Sequence, residues 1–311
     1  MNNITSVKNR KKRKWVDYKL FLLLLPVLLL TIIFSYLPLW GWSFAFFQYK
    51  PGRSLFQSQF VGFENFSVLF GNPVMRTNLF RVLLNTFAIH LIGYLFTPLP
   101  MLFAIILSEL KTKRFTKVMQ SLTTLPYFVS WVILFSLMTS LFGVNGLVNT
   151  LFREMGAENQ VVTFLTSNKH VWLTQVLLQQ WKGLGWSSII YFAAIAGLDQ
   201  EIYEAAMVDG AGRWKRIWYI TIPQLIPTYF VLLIMSVGNF LNTGVDQYLA
   251  FGNALNKEYI EVLDLYVYNL GIGSGQISFS VAVGIMKSLV AFVLFFLANS
   301  VSKRIRGTSV F

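Results

Sequence analysis

The chain lacks cysteine altogether and has only two histidines, His90 and His170, among its 311 residues. The absence of cysteine excludes a disulfide framework, a catalytic thiolate and a zinc site built on cysteine. Two histidines are also too few for a histidine-built metal site. Acidic residues are scarce, 13 against 26 basic ones, and this leaves few carboxylates for acid-base catalysis. The composition therefore argues against an enzyme that uses a thiolate, a metal ion or paired carboxylates.

A phosphate-binding glycine loop is missing as well. Nowhere does the sequence contain Gly-x-x-x-x-Gly-Lys-Ser/Thr, and no acidic pair has the spacing of metal ligands. We therefore expect the chain to hydrolyse no ATP itself and to bind no cofactor or metal.

Apolar residues, by contrast, are abundant. The chain is 55% hydrophobic and 13% charged, with a mean hydropathy of +0.57, which is too apolar for a single soluble core. Crossing a bilayer takes about 20 apolar residues. Six runs meet this requirement, at 20–47, 82–108, 118–142, 172–197, 224–245 and 279–300. The sequence thus predicts an all-α polytopic membrane protein with six transmembrane helices. The first run is too long for a signal peptide and lacks a cleavage site, so we expect it to be a span of the mature protein.

Basic residues outside these runs are concentrated in alternate loops. One set of loops and termini holds 17 of the 26: Lys8, Arg10, Lys11, Lys12, Arg13, Lys14, Lys19, Lys111, Lys113, Arg114, Lys117, Arg213, Lys215, Arg216, Lys303, Arg304 and Arg306. By the positive-inside rule, both termini and the loop at 199–223 are cytoplasmic. The net charge of +13 therefore indicates topology and contact with membrane lipid, and no nucleic acid partner is expected.

The same pattern divides the chain into segments. We predict a polybasic cytoplasmic N-terminus at 1–18 and the first transmembrane helix with an outer loop at 19–81. A core transmembrane domain at 82–302 contains the loop 199–223, and a cytoplasmic tail follows at 303–311.

The loop 199–223 is polar and basic between two apolar runs. Asp199 can cap a short helix that ends at Gly210, because an Asx side chain satisfies free amides and glycine tolerates the left-handed closing conformation. A second short helix is predicted after Gly212, and Pro223 starts the next run. Such a pair of helices can dock in a groove of a soluble partner. The alternative is an amphipathic connector that lies on lipid.

The loop also resembles a known motif. Its Glu-Ala-Ala at 204–206, with Gly210, Ile220, Ile222 and Pro223, is similar to the EAA loop of type I ATP-binding cassette (ABC) importer permeases. The one departure is Ile222, where that family usually has leucine, a volume-conserving change. Segments at 122–131, 181–186 and 203–212 further resemble the LplB-like branch of carbohydrate-uptake permeases, which handles oligosaccharides and polysaccharides.

This resemblance implies a fold, partners and an energy source. The fold is the MetI-like permease fold, with a cytoplasmic EAA coupling-helix loop. The implied partners are a second homologous permease subunit in a heterodimer, two cytoplasmic ATPase subunits that bind ATP and Mg²⁺, and an extracellular lipid-anchored solute-binding protein that delivers an oligosaccharide. The resemblance also implies a location in the plasma membrane of a Gram-positive bacterium. The residues expected to couple to the ATPase are Glu204, Ala205, Ala206, Asp209, Gly210, Arg213, Ile220 and Pro223.

Polar side chains recur at helical spacing inside the apolar runs. A polar side chain that faces lipid is costly and usually turns toward protein or water, so these faces are predicted to line a solute pathway. Flat tryptophan faces can stack on sugar rings. The predicted pathway residues are Trp131, Gln175, Gln179, Trp181, Lys182, Trp186, Asn239, Asp246 and Lys287. Hydrogen bonding between packed helices, or an interfacial tryptophan belt, would produce the same patterns.

Two of these residues, Lys182 and Lys287, lie deep within their runs. An ammonium there needs a carboxylate, carbonyl oxygens or water. Two cations in a pathway favour an anionic glycan, such as a uronate-containing oligosaccharide. The alternative is that Asp246 or a partner subunit neutralises them.

Two other classes of protein stay open from the residues alone. In an ion-coupled secondary transporter or channel, Lys182, Asp246 and Lys287 would be coupling or gating charges. A membrane enzyme acting on lipid-linked glycans would need acid, base or metal groups, and the few carboxylates argue against it.

Overall fold

The computed structural model describes residues 18–19, 21–110, 112–157 and 162–306. Nearly all regular structure in these residues is helical, and the one bridge between extended residues that they contain joins Phe47 and Phe60. The all-α prediction is therefore confirmed. Most of the predicted polybasic N-terminus and the end of the predicted tail lie outside the described residues.

The helices are numbered in chain order. Helix α1 is the first apolar span, Phe21–Phe46, which becomes π-helical over Ile32–Tyr36 and 3₁₀-helical over Leu37–Phe46. The others are α2 (Glu64–Gly71), α3 (Pro73–Leu95), α4 (Leu99–Ser108), α5 (Lys113–Phe128), α6 (Trp131–Phe142), α7 (Leu147–Glu154), α8 (Val171–Ala196), α9 (Gln200–Val208), α10 (Arg213–Arg216), α11 (Ile222–Gly238), α12 (Asp246–Phe251), α13 (Lys257–Ile260), α14 (Leu263–Tyr268) and α15 (Ile277–Arg306).

Five helical segments in the described part of the chain are long and apolar enough to cross a membrane. They are Phe21–Phe46, Pro73–Ser108, Trp131–Glu154, Arg213–Gly238 and Ile277–Leu297. Helix α8 is also long, at 26 residues, but it carries Gln175, Gln179, Gln180 and Lys182. These polar residues lower its mean hydropathy, which is why it is not among the five.

The chain divides into two compact units, the first of which comprises 1–69 and 270–285. Within it, the Asn65 side-chain amide donates to the carbonyl oxygens of Ala45 and Phe47, at 2.8 and 3.2 Å. The Ser278 hydroxyl also donates to the Phe47 carbonyl, at 2.7 Å. Because Asn65 and Ala45 are buried, these bonds satisfy polar groups that water cannot reach.

The second unit comprises 70–269 and 286–311 and has two apolar cores in its described part. One core includes Val176 of α8, Tyr248 of α12 and Val262, which are at most 1% exposed. The other packs α4, α8 and α11 around Ala104 and Leu225, both fully buried. Helix α8 contributes to both cores.

Helices α5 and α8 approach each other closely at Gly185. A Cβ atom at this position would lie 2.4 Å from the backbone of Thr123, so only glycine fits there. Helix α5 ends at Phe128, and α6 begins two residues after Val129. The predicted third span, 118–142, is therefore two helices with a break at Val129 and Ser130. Pro126 lies just before this break, and the Ser130 hydroxyl caps α6 by accepting from the Ile133 amide at 3.3 Å.

Candidate functional site

The first half of the loop 199–223 has the predicted geometry. Helix α9 begins after Asp199, whose carboxylate accepts a hydrogen bond from the Glu201 amide at 2.9 Å. At its end Gly210 has a φ of +75°, and the Ala211 amide donates to the Ala206 carbonyl at 2.8 Å. This is the pattern of a Schellman motif. The prediction of a helix capped by Asp199 and closed by Gly210 is confirmed.

The second half differs from the prediction. Helix α10, Arg213–Arg216, does not end as a separate short helix but continues through a π-helical turn, Ile217–Thr221, into α11. Pro223 lies at the start of α11, and because it has no amide hydrogen, the continuous helix lacks one backbone hydrogen bond at this position. The expected second helix of the loop is therefore the start of the following apolar helix.

Two side-chain contacts hold this loop in place. The Arg213 guanidinium donates to the Glu109 carboxylate at 2.9 Å, which joins α10 to the end of α4. The hydroxyls of Tyr203 and Thr221 lie 2.9 Å apart and join α9 to the π-helical turn.

The residues predicted to couple to an ATPase lie mostly on the surface of this chain. Glu204, Ala205, Asp209, Gly210, Arg213 and Pro223 are exposed, and Ala206 and Ile220 are partly buried. Large apolar side chains around them are exposed too: Met207, Val208, Trp214, Trp218 and Tyr219. The loop therefore presents a mixed apolar and charged surface.

A cavity of about 960 Å³ lies in the second unit. Five predicted pathway residues line it, namely Trp131, Gln179, Lys182, Asn239 and Asp246. Further lining residues that the sequence did not single out are Tyr127, Gln180, Ser187 and Tyr248. Burial raises the pKa of Tyr248, and the Asp264 carboxylate raises it further, so this phenol keeps its proton at neutral pH.

Lys182 is held by backbone oxygens and aromatic rings. Its ammonium donates to the carbonyl oxygens of Pro126 and Tyr127, at 3.2 and 2.6 Å, at the carboxyl end of α5. It also lies 5.3 Å from the ring centroids of Tyr127 and Trp131. The helix terminus and both ring faces carry partial negative charge, so they stabilise the cation without a carboxylate.

The rings beside Lys182 continue as an aromatic wall, which we define as Tyr127, Trp131 and Trp186. Tyr127 and Trp186 stack in parallel, with centroids 4.6 Å apart and an interplanar angle of 2°. Trp186 lines a second cavity of about 410 Å³. The two cavities share four lining residues: Thr97, Gln180, Ser187 and Ser236.

The structure places three predicted pathway residues elsewhere. Gln175 is buried, and both its carbonyl oxygens, backbone and side-chain, accept bonds of 2.9 Å from the Gln247 amide. Trp181 is 45% exposed and lines neither cavity. Lys287 forms an ion pair with Asp264, whose other oxygen accepts from the Gly244 amide at 2.9 Å.

Sequence reasoning missed Asp264 as the partner of Lys287, because the two residues are 23 positions apart. It also missed Tyr127 as a lining residue of the cavity, because the position of this side chain depends on the break between α5 and α6 after Phe128. Pro126 was a signal for that break. Among the residues that the structure describes, no group of three histidine, cysteine, aspartate or glutamate residues could hold a metal ion.

Two curated proteins are similar to this chain over nearly its whole length. Protein LplB of Bacillus subtilis (strain 168) is 39% identical over 305 residues, which cover 97% of this chain and 92% of that protein. The polygalacturonan/rhamnogalacturonan transport system permease protein YteP of the same organism is 38% identical, covering 96% of this chain and 92% of that protein.

A solved structure is similar over nearly the whole length. It belongs to a bacterial ABC transporter involved in the import of the acidic polysaccharide alginate, with a TM-score of 0.80 and 31% identity. The match covers 97% of this chain and 99% of that one. A family model described as "Binding-protein-dependent transport system inner membrane component" matches residues 97–307. Since this match spans more than half of the sequence, the chain belongs to the family of inner membrane components of binding-protein-dependent transport systems.

Proposed function

We propose that the chain is the transmembrane permease subunit of an ATP-driven ABC importer, and that its cavity forms part of the path of an oligosaccharide. The observation that carries the proposal is the cavity of about 960 Å³, where amide, hydroxyl and aromatic side chains meet among apolar helices. Sugars offer hydroxyl groups and apolar ring faces, so a sugar pathway needs both kinds of side chain. The names of YteP and of the alginate importer support glycans derived from polysaccharides.

The proposed topology has six transmembrane helices, with both termini and the loop 199–223 in the cytoplasm of a Gram-positive bacterium. In this proposal helix α8 crosses the membrane in addition to the five apolar segments described above, as the fourth span in chain order. Its polar residues do not oppose this placement, because Gln175 is buried and Gln179, Gln180 and Lys182 line the cavity.

The loop 199–223 is proposed to act as the EAA coupling loop. An exposed apolar group that includes Trp214, Trp218 and Val208, 64 to 88% exposed, supports docking to a soluble subunit. The proposed assembly contains a second homologous permease subunit, two ATPase subunits that bind ATP and Mg²⁺, and a lipid-anchored binding protein outside. Closure of the ATPases would displace the two loops and turn the cavity outward, and hydrolysis would reset it.

Co-purification and vesicle uptake test the proposal. From solubilised membranes, the tagged chain should bring down a second permease and an ATPase. Uptake of the glycan held by the cognate binding protein should need ATP and persist when ion gradients are collapsed. Uptake driven by an ion gradient, with no ATPase subunit present, would contradict the proposal and favour a secondary transporter.

A further inference from the structure

One wall of the first cavity is built from backbone that has left the helix. Helix α11 ends at Gly238 and α12 begins at Asp246, and we call the residues between them, 239–245, the unwound segment. Asn239, Asn242 and Thr243 of this segment line the cavity. Non-helical backbone between apolar helices needs protein partners or cavity water for its polar groups. The contacts of the unwound segment therefore decide where this wall lies.

Asp264 supplies two of these contacts. One of its carboxylate oxygens accepts hydrogen bonds from the Thr243 hydroxyl at 3.2 Å and the Gly244 amide at 2.9 Å. The other oxygen forms the ion pair with Lys287 of α15, and each side chain of the pair is 15% exposed. Neither Asp264 nor Lys287 lines the first or the second cavity. Their contribution to the wall is therefore made through the unwound segment.

The ion pair is itself anchored to the surrounding helices. The Leu263 amide, next to Asp264, donates to the buried Thr86 hydroxyl of α3 at 2.9 Å. Helix α15 also approaches the end of α11 closely, since a Cβ atom at Gly238 would lie 2.7 Å from the Phe295 ring. The carboxylate that holds the unwound segment thus has a position fixed by α3, α14 and α15.

We propose that Asp264 and Lys287 are positioning residues, which hold the unwound segment so that Asn239 and Asn242 face the glycan path. This inference rests on the proposed function, because it assumes that a glycan passes through the cavity. A carboxylate can accept several hydrogen bonds at once, and the ammonium neutralises its charge away from water. Lys287, predicted from its spacing to line the pathway, would then act on the pathway through Asp264.

Two double variants separate the bonds to the unwound segment from the ion pair. Asp264→Asn with Lys287→Met removes both charges but keeps a carbonyl oxygen that can accept from Thr243 and Gly244. Asp264→Leu with Lys287→Met removes the charges and the acceptor. Replacement of a buried ion pair by uncharged groups of similar volume is often neutral for stability, so both variants should fold.

Hydrogen exchange followed by mass spectrometry, on the full-length chain in its native membrane assembly, measures how firmly the segment is held. In the Leu/Met variant, residues 239–246 should exchange about tenfold faster than in the natural chain, because two bonds are lost. In the Asn/Met variant the change should stay within about twofold. Natural exchange in the Leu/Met variant, or equally fast exchange in both variants, would overturn the inference.

Residues 143–149 are the matched control segment. They also lie between two helices and are held by one side chain, since the buried Asn149 amide donates to the Gly143 carbonyl at 2.8 Å. Their exchange should be the same in both double variants and in the natural chain. Faster exchange here as well would indicate general loosening and would overturn a local role for Asp264.

A single substitution tests the inference without touching the ion pair. Thr243→Val keeps the shape of the side chain and removes one of the two bonds to Asp264. Exchange of residues 239–246 should then rise by about threefold. Unchanged exchange would overturn the inference, even if the Leu/Met variant failed to assemble.

Uptake tests whether the held position matters for transport. The probe is the glycan released from the denatured cognate binding protein, labelled with tritium and returned to that protein. Uptake by vesicles with the Leu/Met variant should be about fivefold slower than with the Asn/Met variant. Equal uptake would overturn the positioning role and leave the proposed importer intact. Lack of an ATPase partner on co-purification would instead refute the importer, and the exchange rates would still report how the segment is held.

Discussion

At the scale of single residues, the two lysines within apolar helices are stabilised in different ways. Lys182 bonds to carbonyl oxygens at a helix terminus, whereas Lys287 forms an ion pair with Asp264. An ammonium without either kind of partner would be strongly unfavourable away from water. The need for partners could be predicted from the sequence. Their identity could not, because it depends on how α5, α14 and α15 pack around these positions.

Gly210 allows a sharp test of the bend in the loop 199–223. Its φ is +75°, and an added Cβ would meet no atom within 4 Å, so a substitution strains the backbone alone. Gly210→Ala should cost about 1 kcal/mol for the left-handed conformation. If the bend couples the ATPase to the permease, a loss of about 1 kcal/mol in coupling free energy should lower uptake per ATP hydrolysed by about fivefold. Both quantities can be measured in vesicles and by thermal unfolding.

Gly156 provides the matched control for this substitution. It closes α7 with a φ of +74°, also without neighbours within 4 Å, and the Ala157 amide donates to the Phe152 carbonyl as in the loop. Gly156→Ala should therefore cost similar stability and leave uptake per ATP unchanged. Equal loss of coupling in both variants would contradict a special role for Gly210.

At the scale of helices, the ion pair between Glu109 and Arg213 joins α4 to the loop 199–223. Glu109 follows the last residue of α4, where a carboxylate is unfavourable next to the helix dipole unless a cation is near. The pair is partly exposed, so Glu109→Gln should change stability by less than about 1 kcal/mol. Uptake should still fall by about fivefold if α4 moves with the loop. The readouts are uptake and ATP hydrolysis by the same vesicles.

Two further variants separate coupling from simple loss of charge. Exchange of the pair, Glu109→Arg with Arg213→Glu, should restore much of the uptake. Lys215→Gln removes a neighbouring positive charge outside the pair and should have little effect. If exchange restores nothing, or Lys215→Gln is equally harmful, the pair is not the link between α4 and the loop.

How far sequence predicts structure differs from one helix to the next. Helix α8 was predicted at 172–197 and lies at Val171–Ala196, because a long apolar run with a glycine end has few alternatives. Residues 246–268, between two of the predicted spans, contain the short helices α12, α13 and α14, which the sequence analysis did not predict. Such short helices depend on tertiary contacts, for example the Asn85 amide that bonds to the Glu258 carbonyl at 2.7 Å. Such tertiary contacts produce no periodic pattern of apolar residues in the sequence.

The same limit applies to the site. The polar residues of α8 share one helical face by their spacing, yet they have different neighbours in the structure. Gln175 packs against Gln247, while Gln179 lies on the cavity. A helical period identifies which residues share a face, but it does not identify what that face meets along its length.

At the scale of the whole molecule, the number of membrane crossings depends on α8. This helix has 26 residues, a length of about 39 Å, which exceeds the roughly 30 Å of a bilayer core. If it crosses, Lys169 before it and Lys215 after it lie on opposite sides of the membrane. If it does not cross, five spans remain. An odd number of spans places the two termini on opposite sides of the membrane, so both could not be cytoplasmic.

Single cysteines decide between these topologies, since the natural chain has none. Lys169→Cys and Lys215→Cys are both at exposed positions. In intact cells, a membrane-impermeant maleimide should label only the thiol at 169, and the thiol at 215 should react only after the membrane is opened. Lys257→Cys lies between the predicted spans 224–245 and 279–300, on the side opposite to the loop 199–223, and is the control for labelling from outside. Labelling of both 169 and 215 in intact cells would show that α8 does not cross, and it would place the loop 199–223 beyond the reach of a cytoplasmic ATPase.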